Sequence, residues 1–292
     1  MCSASDRTDL ASHASSGESV GDETGQSRDP ERGRLFASVI DRHVDSLGEA
    51  CVLDAGCKYG ALTFGMADRV GEVVGIDVDR EAVAEANVAA QDYVNVTVSE
   101  GSILDTDFTG GVFDVIVLEG VLEWLGNSDP DSAPIECQRR VLRECRRLLG
   151  ESGLLYIGIE NRLCPYFWVR PPHSGVPLAP LFPKRFSQPL HRILTGEYYG
   201  EHILSYWGYE RLLSESFSSV GIGLPIPHYK YPYDVSGFDP ASLRSAIQRG
   251  RSDLDNKELP GTYRQAMSGL YAGSYLGVNK FLAPNFVILC RP

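Results

Sequence analysis

Cys51-Val-Leu-Asp-Ala-Gly-Cys-Lys-Tyr-Gly-Ala-Leu-Thr63 decides the fold of this 292-residue chain. An apolar run ends in Asp54, bends through Gly56 and Gly60, and then enters an amphipathic segment. That order reads as a buried parallel strand feeding a helix across a turn that needs glycine, where backbone can approach a ligand without a Cβ in the way. About twenty residues on, a second apolar run, Val73-Val-Gly-Ile76, ends in Asp77. A carboxylate at a second strand tip suits a ribose diol, because both hydroxyls can donate to it. Two such strand ends imply a nucleoside-containing ligand.

Outward from that core, strands are predicted near 51–55, 72–77, 94–99, 113–118 and 154–160, and helices near 61–70, 80–91 and 135–149. Alternation with Val/Ile/Leu-rich strands demands a parallel sheet covered on both faces. Gly150 and Gly153 are expected to cap the third of these helices. Residues 1–30 are rich in Ser, Asp, Glu and Gly and are expected to be a disordered tail. Residues 31–47 carry Leu35, Phe36, Val39, Ile40, Val44 and Leu47 at helical spacing, a lead-in helix to a core spanning 31–160. The proline- and aromatic-rich stretch 161–204 reads as an inserted lid. Residues 205–292 complete the sheet with a helix near 206–217, a strand near 219–224 and a closing strand over 285–291. An irregular insertion at 225–280, with short helices at 240–250 and 260–272, separates those two strands. The expected fold is α/β, Rossmann-like and doubly wound: a mostly parallel seven-stranded sheet with helices on both faces and an aromatic, proline-rich lid.

Charge and cysteine content narrow the partners. A net charge of −12 argues against nucleic acid as the main partner, which needs a basic surface. The seven cysteines are scattered without a C-x-x-C pair, so reduced thiols and a cytoplasmic location are expected, with no metal site. No apolar run approaches the roughly 20 residues of a membrane span, and no hydrophobic leader core is seen.

A dinucleotide site would place G-x-G-x-x-G at the first turn; here an acid precedes the glycines and Lys58 stands where a glycine is wanted. An acid there disfavours pyrophosphate and suits an ammonium. At this point the chain resembles the class I S-adenosylmethionine-dependent methyltransferases. Val52-Leu-Asp-Ala-Gly-Cys-Lys-Tyr-Gly60 is similar to their first motif, V-L-D-x-G-C-G-x-G, and Val74-Gly-Ile-Asp77 to the second. Glu100-Gly-Ser-Ile103 stands where the family has an Asp that meets the adenine amino group. Phe113-Asp-Val-Ile-Val-Leu-Glu119 with Val121-Leu-Glu-Trp124 resembles the fourth motif, and Leu148-Leu-Gly-Glu-Ser-Gly-Leu-Leu-Tyr156 the turn into the fifth strand. Lys58, Ser102 and Trp124 depart from the pattern; Lys58 is tolerable if its φ stays negative. Glu160-Asn-Arg162, Pro172-His-Ser-Gly-Val-Pro177, Phe182-Pro-Lys-Arg185 and Pro225-Ile-Pro-His-Tyr-Lys-Tyr-Pro232 look like a subgroup associated with surface-glycan assembly.

The resemblance implies S-adenosyl-L-methionine as cofactor, held by Asp54, Ala55, Gly56, Cys57, Gly60, Asp77, Val78, Ser102, Ile103 and Glu119. It implies methyl transfer to a hydroxyl or carboxylate of a sugar or glycan intermediate, lipid- or nucleotide-linked in some cases, by a monomer or homodimer. Methylation of a small lipid or quinone-like acceptor is an alternative, as is a non-catalytic cofactor-binding regulator of the same fold, to which Lys58 and Ser102 point. Candidate bases are His173, whose imidazole titrates near neutrality, and Glu160 at the fifth strand tip; Tyr229 and Lys230 are placed to touch the acceptor. Tyr166, Phe167, Trp168, Tyr198, Tyr199, Tyr206, Trp207 and Tyr209 either stack on a sugar ring or build the core of the lid.

Overall fold

The computed structural model describes residues 29–127, 132–169, 176–182, 184–196, 200–254 and 261–292. Residues 1–28, most of the expected tail, and His173 lie outside the described residues, as do Tyr198 and Tyr199. The chain runs α1 (Glu31–Ile40), β1 (Cys51–Ala55), α2 (Ala61–Met66), β2 (Glu72–Asp77), α3 (Arg80–Ala90), β3 (Val96–Glu100) and β4 (Phe113–Glu119). It continues through α4 (Pro134–Leu148), β5 (Leu149–Glu160), α5 (Pro165–Val169), α6 (Lys184–Thr195), α7 (Tyr206–Leu213), β6 (Ser219–His228) and β7 (Tyr231–Ser236). The last elements are α8 (Pro240–Leu254), α9 (Gly261–Tyr275), α10 (Asn279–Leu282) and β8 (Asn285–Arg291).

Eight strands make one sheet in the order β3-β2-β1-β4-β5-β8-β6-β7. The first five pair in parallel, and β8 runs antiparallel between β5 and β6. This is a Rossmann-like, doubly wound α/β sheet with an antiparallel edge. Side chains alternate across the central strands, so each strand feeds two cores. Leu53, Ile116, Leu118, Leu155 and Ile157 meet α4 and α7 on one face. Val52, Val115, Val117, Leu154 and Tyr156 meet α1 and α2 on the other. Burial on both sides is why these strands read as continuous apolar runs rather than alternating ones.

Four expectations need correction, the first being the lead-in helix, which ends at Ile40 rather than at residue 47. The sheet has an eighth strand, β7, within the stretch expected to be irregular. Its pairing with β6 brings Pro227 opposite Pro232 across a register shift; neither can donate to a ladder, and an edge position tolerates that. The expected helices at 240–250 and 260–272 run longer, as α8 and α9. Nor does Gly150 cap a helix. Leu149 is already extended, with φ −73° and ψ 139°, and α4 passes directly into β5.

The lead-in helix is held at both ends. Gly33 and Gly65 let α1 lie against α2: a Cβ on Gly65 would overlap the Pro30 carbonyl oxygen and sit 2.7 Å from Gly33 Cα. At the far end Arg42 donates to the buried Asp234 of β7 at 2.6 Å, and Arg249 of α8 donates to the other oxygen at 2.6 Å. One carboxylate thus ties α1, β7 and α8 together.

Candidate active site

The C-terminal ends of the parallel strands open into a cleft of about 690 Å³. Its floor is the turn after β1. Gly56 and Cys57 both donate their N–H groups to Ile76 O, folding the turn across the tip of β2. Gly56 takes φ +92°, and a Cβ there would overlap the Val121 side chain. Lys58 also turns left-handed, at φ 45°. The condition set for it, a negative φ, is not met. The gain is that its N–H donates to Asp77 Oδ2 at 2.9 Å, while Asp79 N–H donates to Oδ1 at 2.8 Å. Each Asp77 oxygen therefore accepts one backbone bond and keeps a lone pair for another donor.

Asp54 sits under the same turn, buried, accepting the Thr63 hydroxyl at 2.6 Å. Burial pushes its carboxyl up to about 6, opposed by the Thr63 bond and reinforced by the charge of Glu119. Glu119, at the tip of β4, accepts Arg32 Nη2 at 2.8 Å through one oxygen. Its other oxygen is buried with no hydrogen-bond partner among the described residues. Ser102 spends its hydroxyl accepting the Leu104 N–H at 3.2 Å.

Of the residues singled out from sequence, Asp54, Ala55, Gly56, Cys57, Asp77, Val78, Ser102, Ile103, Glu119 and Tyr229 line this one cleft. Gly60 and Glu160 do not line it: Gly60 turns the chain into α2 at φ +80°, and Glu160 sits behind Tyr229. The Tyr229 hydroxyl donates to Glu160 Oε1 at 2.6 Å, and Tyr209 donates to the Glu160 carbonyl. Burial, then the charge of Glu160, raises the Tyr229 pKa well above its usual value, so it remains a phenol. His228, beside Tyr229, is held neutral, lowered by burial to about 4. Among the described aromatics of the 156–233 region, Tyr206 and Tyr209 pack behind the sheet, with Trp207 exposed at the edge of Tyr206; Tyr229 lines the cleft, and Trp124 joins it from the β4 side.

Two charged lining residues, Arg32 and Glu123, escaped the sequence reading. Arg32 is buried on α1 and also donates Nε–H to Lys230 O at 3.1 Å. It stands one turn before Phe36 on the apolar stripe, and a charge on a buried stripe is a signal that could have found it. Lys230 follows Tyr229 and lines the cleft itself. Glu123 lies in the apolar run Val121-Leu-Glu-Trp-Leu125, and one of its oxygens is buried with no hydrogen-bond partner among the described residues. Burial and then the neighbouring charge of Glu160, joined by Glu119 and Glu201, push its carboxyl well above the usual range.

The cleft therefore holds four carboxylates, Asp54, Asp77, Glu119 and Glu123, against Arg32, Lys58 and Lys230. That donor set fits a ligand with a ribose diol, an ammonium and a sulfonium better than one with a pyrophosphate. The orphaned Glu119 oxygen and the free acceptor capacity of Asp77 are where such a ligand would be held.

Comparison with known proteins agrees with this geometry. Residues 53–157 match the family model described as a methyltransferase domain. The chain is 32% identical over 129 residues to the ubiquinone biosynthesis O-methyltransferase of Histophilus somni, covering 42% of this chain and 50% of that protein. It is 32% identical over 114 residues to a Mycobacterium tuberculosis protein named as an S-adenosylmethionine-dependent methyltransferase, covering 38% of this chain and 36% of that one. The chain thus spans half or less of the length of these curated relatives. Among solved structures, a chain from the Haloferax volcanii complex between the Trm112 methyltransferase activator and a methyltransferase superposes with a TM-score of 0.50 at 13% identity, over 89% of this chain and 88% of that one, a likeness of fold alone. Residues 53–157 therefore match a methyltransferase domain and sit in a Rossmann-like sheet.

Proposed function

We propose that the chain transfers the methyl group of S-adenosylmethionine to an oxygen of a sugar or glycan intermediate bound over the ends of β4 and β5. The observation that carries this reading is the continuity of the cleft. Its cofactor end, at Asp77 and Ser102, runs without a break to an acceptor end at Glu123, Tyr229 and Lys230. The bound cofactor supplies a methyl carbon activated by a sulfonium. What falls to the protein is alignment, exclusion of water and removal of a proton from the acceptor.

Tyr229 and Glu160 offer a route for that proton. A hydroxyl set against Tyr229 can donate to the phenol oxygen while the phenol donates to Glu160, leaving the proton on the buried carboxylate. Glu123, kept neutral by its surroundings, is suited to hold the acceptor by donating a hydrogen bond rather than to act as the base. His173, outside the described residues, remains a candidate base of the same site. The sugar reading draws on the likeness of residues 160–185 and 225–232 to glycan-assembly methyltransferases. The ubiquinone O-methyltransferase relatives favour a phenolic acceptor as a second reading, but their match covers less than half of this chain.

Titration calorimetry with S-adenosylmethionine and S-adenosylhomocysteine tests the cofactor site; binding of neither removes the enzyme reading. Labelled methyl donor offered to sugar-nucleotide and quinol panels tests the acceptor. Label confined to the quinols would overturn the sugar assignment. Tyr229→Phe is expected to lower turnover about 10²-fold or more with cofactor affinity unchanged; wild-type turnover would remove the relay.

A further inference from the structure

We infer that α6 and its flanking segment form a docking face for an anionic phospholipid bilayer. A helix on a protein surface ordinarily buries its apolar stripe and shows its polar face to water. α6 is turned the other way. Ser187 and His191 are the buried residues, one turn apart. Phe186, Leu190, Ile193 and Leu194 fall on a common stripe at helical spacing, and they are 59%, 45%, 80% and 62% exposed. Phe182, just before the helix, is 50% exposed and Tyr166 on α5 is 58% exposed. Four large apolar side chains on one outward stripe are more than the scattered single hydrophobics of an ordinary surface.

Charge selects the occupant. The chain as a whole carries −12, yet residues 161–196 contain Arg162, Arg170, Lys184, Arg185 and Arg192 and no Asp or Glu at all. An acidic protein that withholds every acid from one stretch, and places an exposed Phe/Leu/Ile stripe there, has the composition of an interfacial helix. Such a helix sinks its apolar face to the acyl boundary while its cations meet anionic headgroups. No helix among the described residues is long and apolar enough to cross a membrane, so attachment would be peripheral.

The placement is useful to the cleft. The segment leaves the sheet at the C-terminal end of β5, the edge on which the cleft opens. Asn161 fastens that root by donating to the carbonyls of Phe281 and Ala283, and Arg162 Nη2 donates to Leu181 O and Phe182 O at 3.2 and 3.3 Å. Phe281 and Trp207, both partly exposed and in tilted ring contact at 4.6 Å, continue the apolar surface at this root. Docked by this face, the chain would present its acceptor end toward a lipid-linked substrate.

Docking is tested without methyl donor, so it stands or falls separately from the reaction. The full chain is floated with vesicles of phosphatidylglycerol mixed with phosphatidylcholine, and with phosphatidylcholine vesicles alone. The expected result is binding to the anionic vesicles, weakened by salt, with little binding to the neutral ones. The double variant Phe186→Ser, Ile193→Ser should lower the partition coefficient by about tenfold or more for the pair, and Arg192→Glu should lower it without touching an apolar side chain. Unchanged thermal melts establish that both variants fold. Absence of binding to anionic vesicles, or equal binding by the double variant, overturns the proposal. So does light scattering that shows a dimer for the parent and a monomer for the double variant when neither binds vesicles, because the face would then belong to a second copy of the chain.

Discussion

At the residue scale, the cleft is built from groups held in states they would not choose in water. Asp54 is the clearest. Its carboxyl titrates near 6 in the fold against 3.8 for an unperturbed aspartate. Because the folded value is the higher one, the neutral form is favoured by folding: full stability is present below about pH 4, and it is lost as pH rises through about 6. Two units correspond to about 3 kcal/mol. Asp54→Asn keeps an acceptor for Thr63 and removes the ionisation, so it should stabilise the ligand-free chain by about 1–3 kcal/mol near pH 8 and by almost nothing near pH 4. The same variant should weaken S-adenosylmethionine binding, since a cation then loses its carboxylate. Melting curves at the two pH values decide it; an equal shift at both would show that Asp54 is not ionised at the higher pH. Lys58 gives the second residue-scale prediction. A left-handed non-glycine residue costs about 1 kcal/mol, and Lys58→Gly preserves the N–H that meets Asp77. Glycine's greater freedom in the unfolded chain offsets part of the gain, so stability should rise by up to about 1 kcal/mol. A clear loss on denaturant unfolding would mean that the Lys58 side chain has contacts that outweigh the strain. Asp54 and Asp77 were legible in sequence because both end apolar strands. Glu123 and Arg32 were not, since each sits inside an apolar segment where the default reading is packing.

At the scale of elements, legibility divides at Glu160. Before it, strands and helices alternate with well-separated periods, and the predicted bounds fall within a few residues of those observed, except at β5 and at the lead-in helix, which ends at Ile40. That strand starts at Leu149 because α4 needs no glycine cap: its last turn passes straight into extended backbone. After Glu160 the prolines that suggest loops also occur in β7, the sheet edge, and at the end of β6 beyond its pairing with β8, where they are harmless. The alternation of β7 is hidden as well, because its buried side is Pro232, Asp234 and Ser236 rather than apolar residues. What secures that edge is the clamp of Asp234 by Arg42 and Arg249, a contact between positions far apart in the chain. α1 depends equally on a contact no local pattern announces, the approach of Gly33 to Gly65. Gly65→Ala would drive a methyl into backbone atoms that cannot rotate away, so a loss of about 1–3 kcal/mol is expected. Because α1 carries Arg32, cofactor affinity should fall as well, while Gly48→Ala, which has open space around it, should change neither. Wild-type stability for Gly65→Ala would mean that α1 does not rest on α2 as described.

At the scale of the whole molecule, the fold separates what is shared from what is individual. Residues 53–157 supply most of β1 to β5 and the turns at their ends, and they are the stretch that matches the methyltransferase domain model. The cleft is completed by Arg32 before that stretch and by Tyr229 and Lys230 after it. Alternation made the shared half legible, and the individual half is assembled by long-range contacts. This division has a measurable dynamic counterpart. Central strands β1, β4, β5 and β8 are covered on both faces, whereas β7 closes an edge and α6 turns its apolar side outward. Hydrogen exchange should therefore be slowest in the central four and fast in β7 and α6, following local burial. Adding S-adenosylhomocysteine should slow exchange at 54–60, 77–79, 101–103 and 119–125, the turns that line the cofactor end, and raise the global opening energy by its own binding energy. Exchange in α6 should stay as it was, because no residue of that helix lines the cleft. Protection of α6 without protection of the β1 turn would place the cofactor outside the cleft between Asp54 and Asp77.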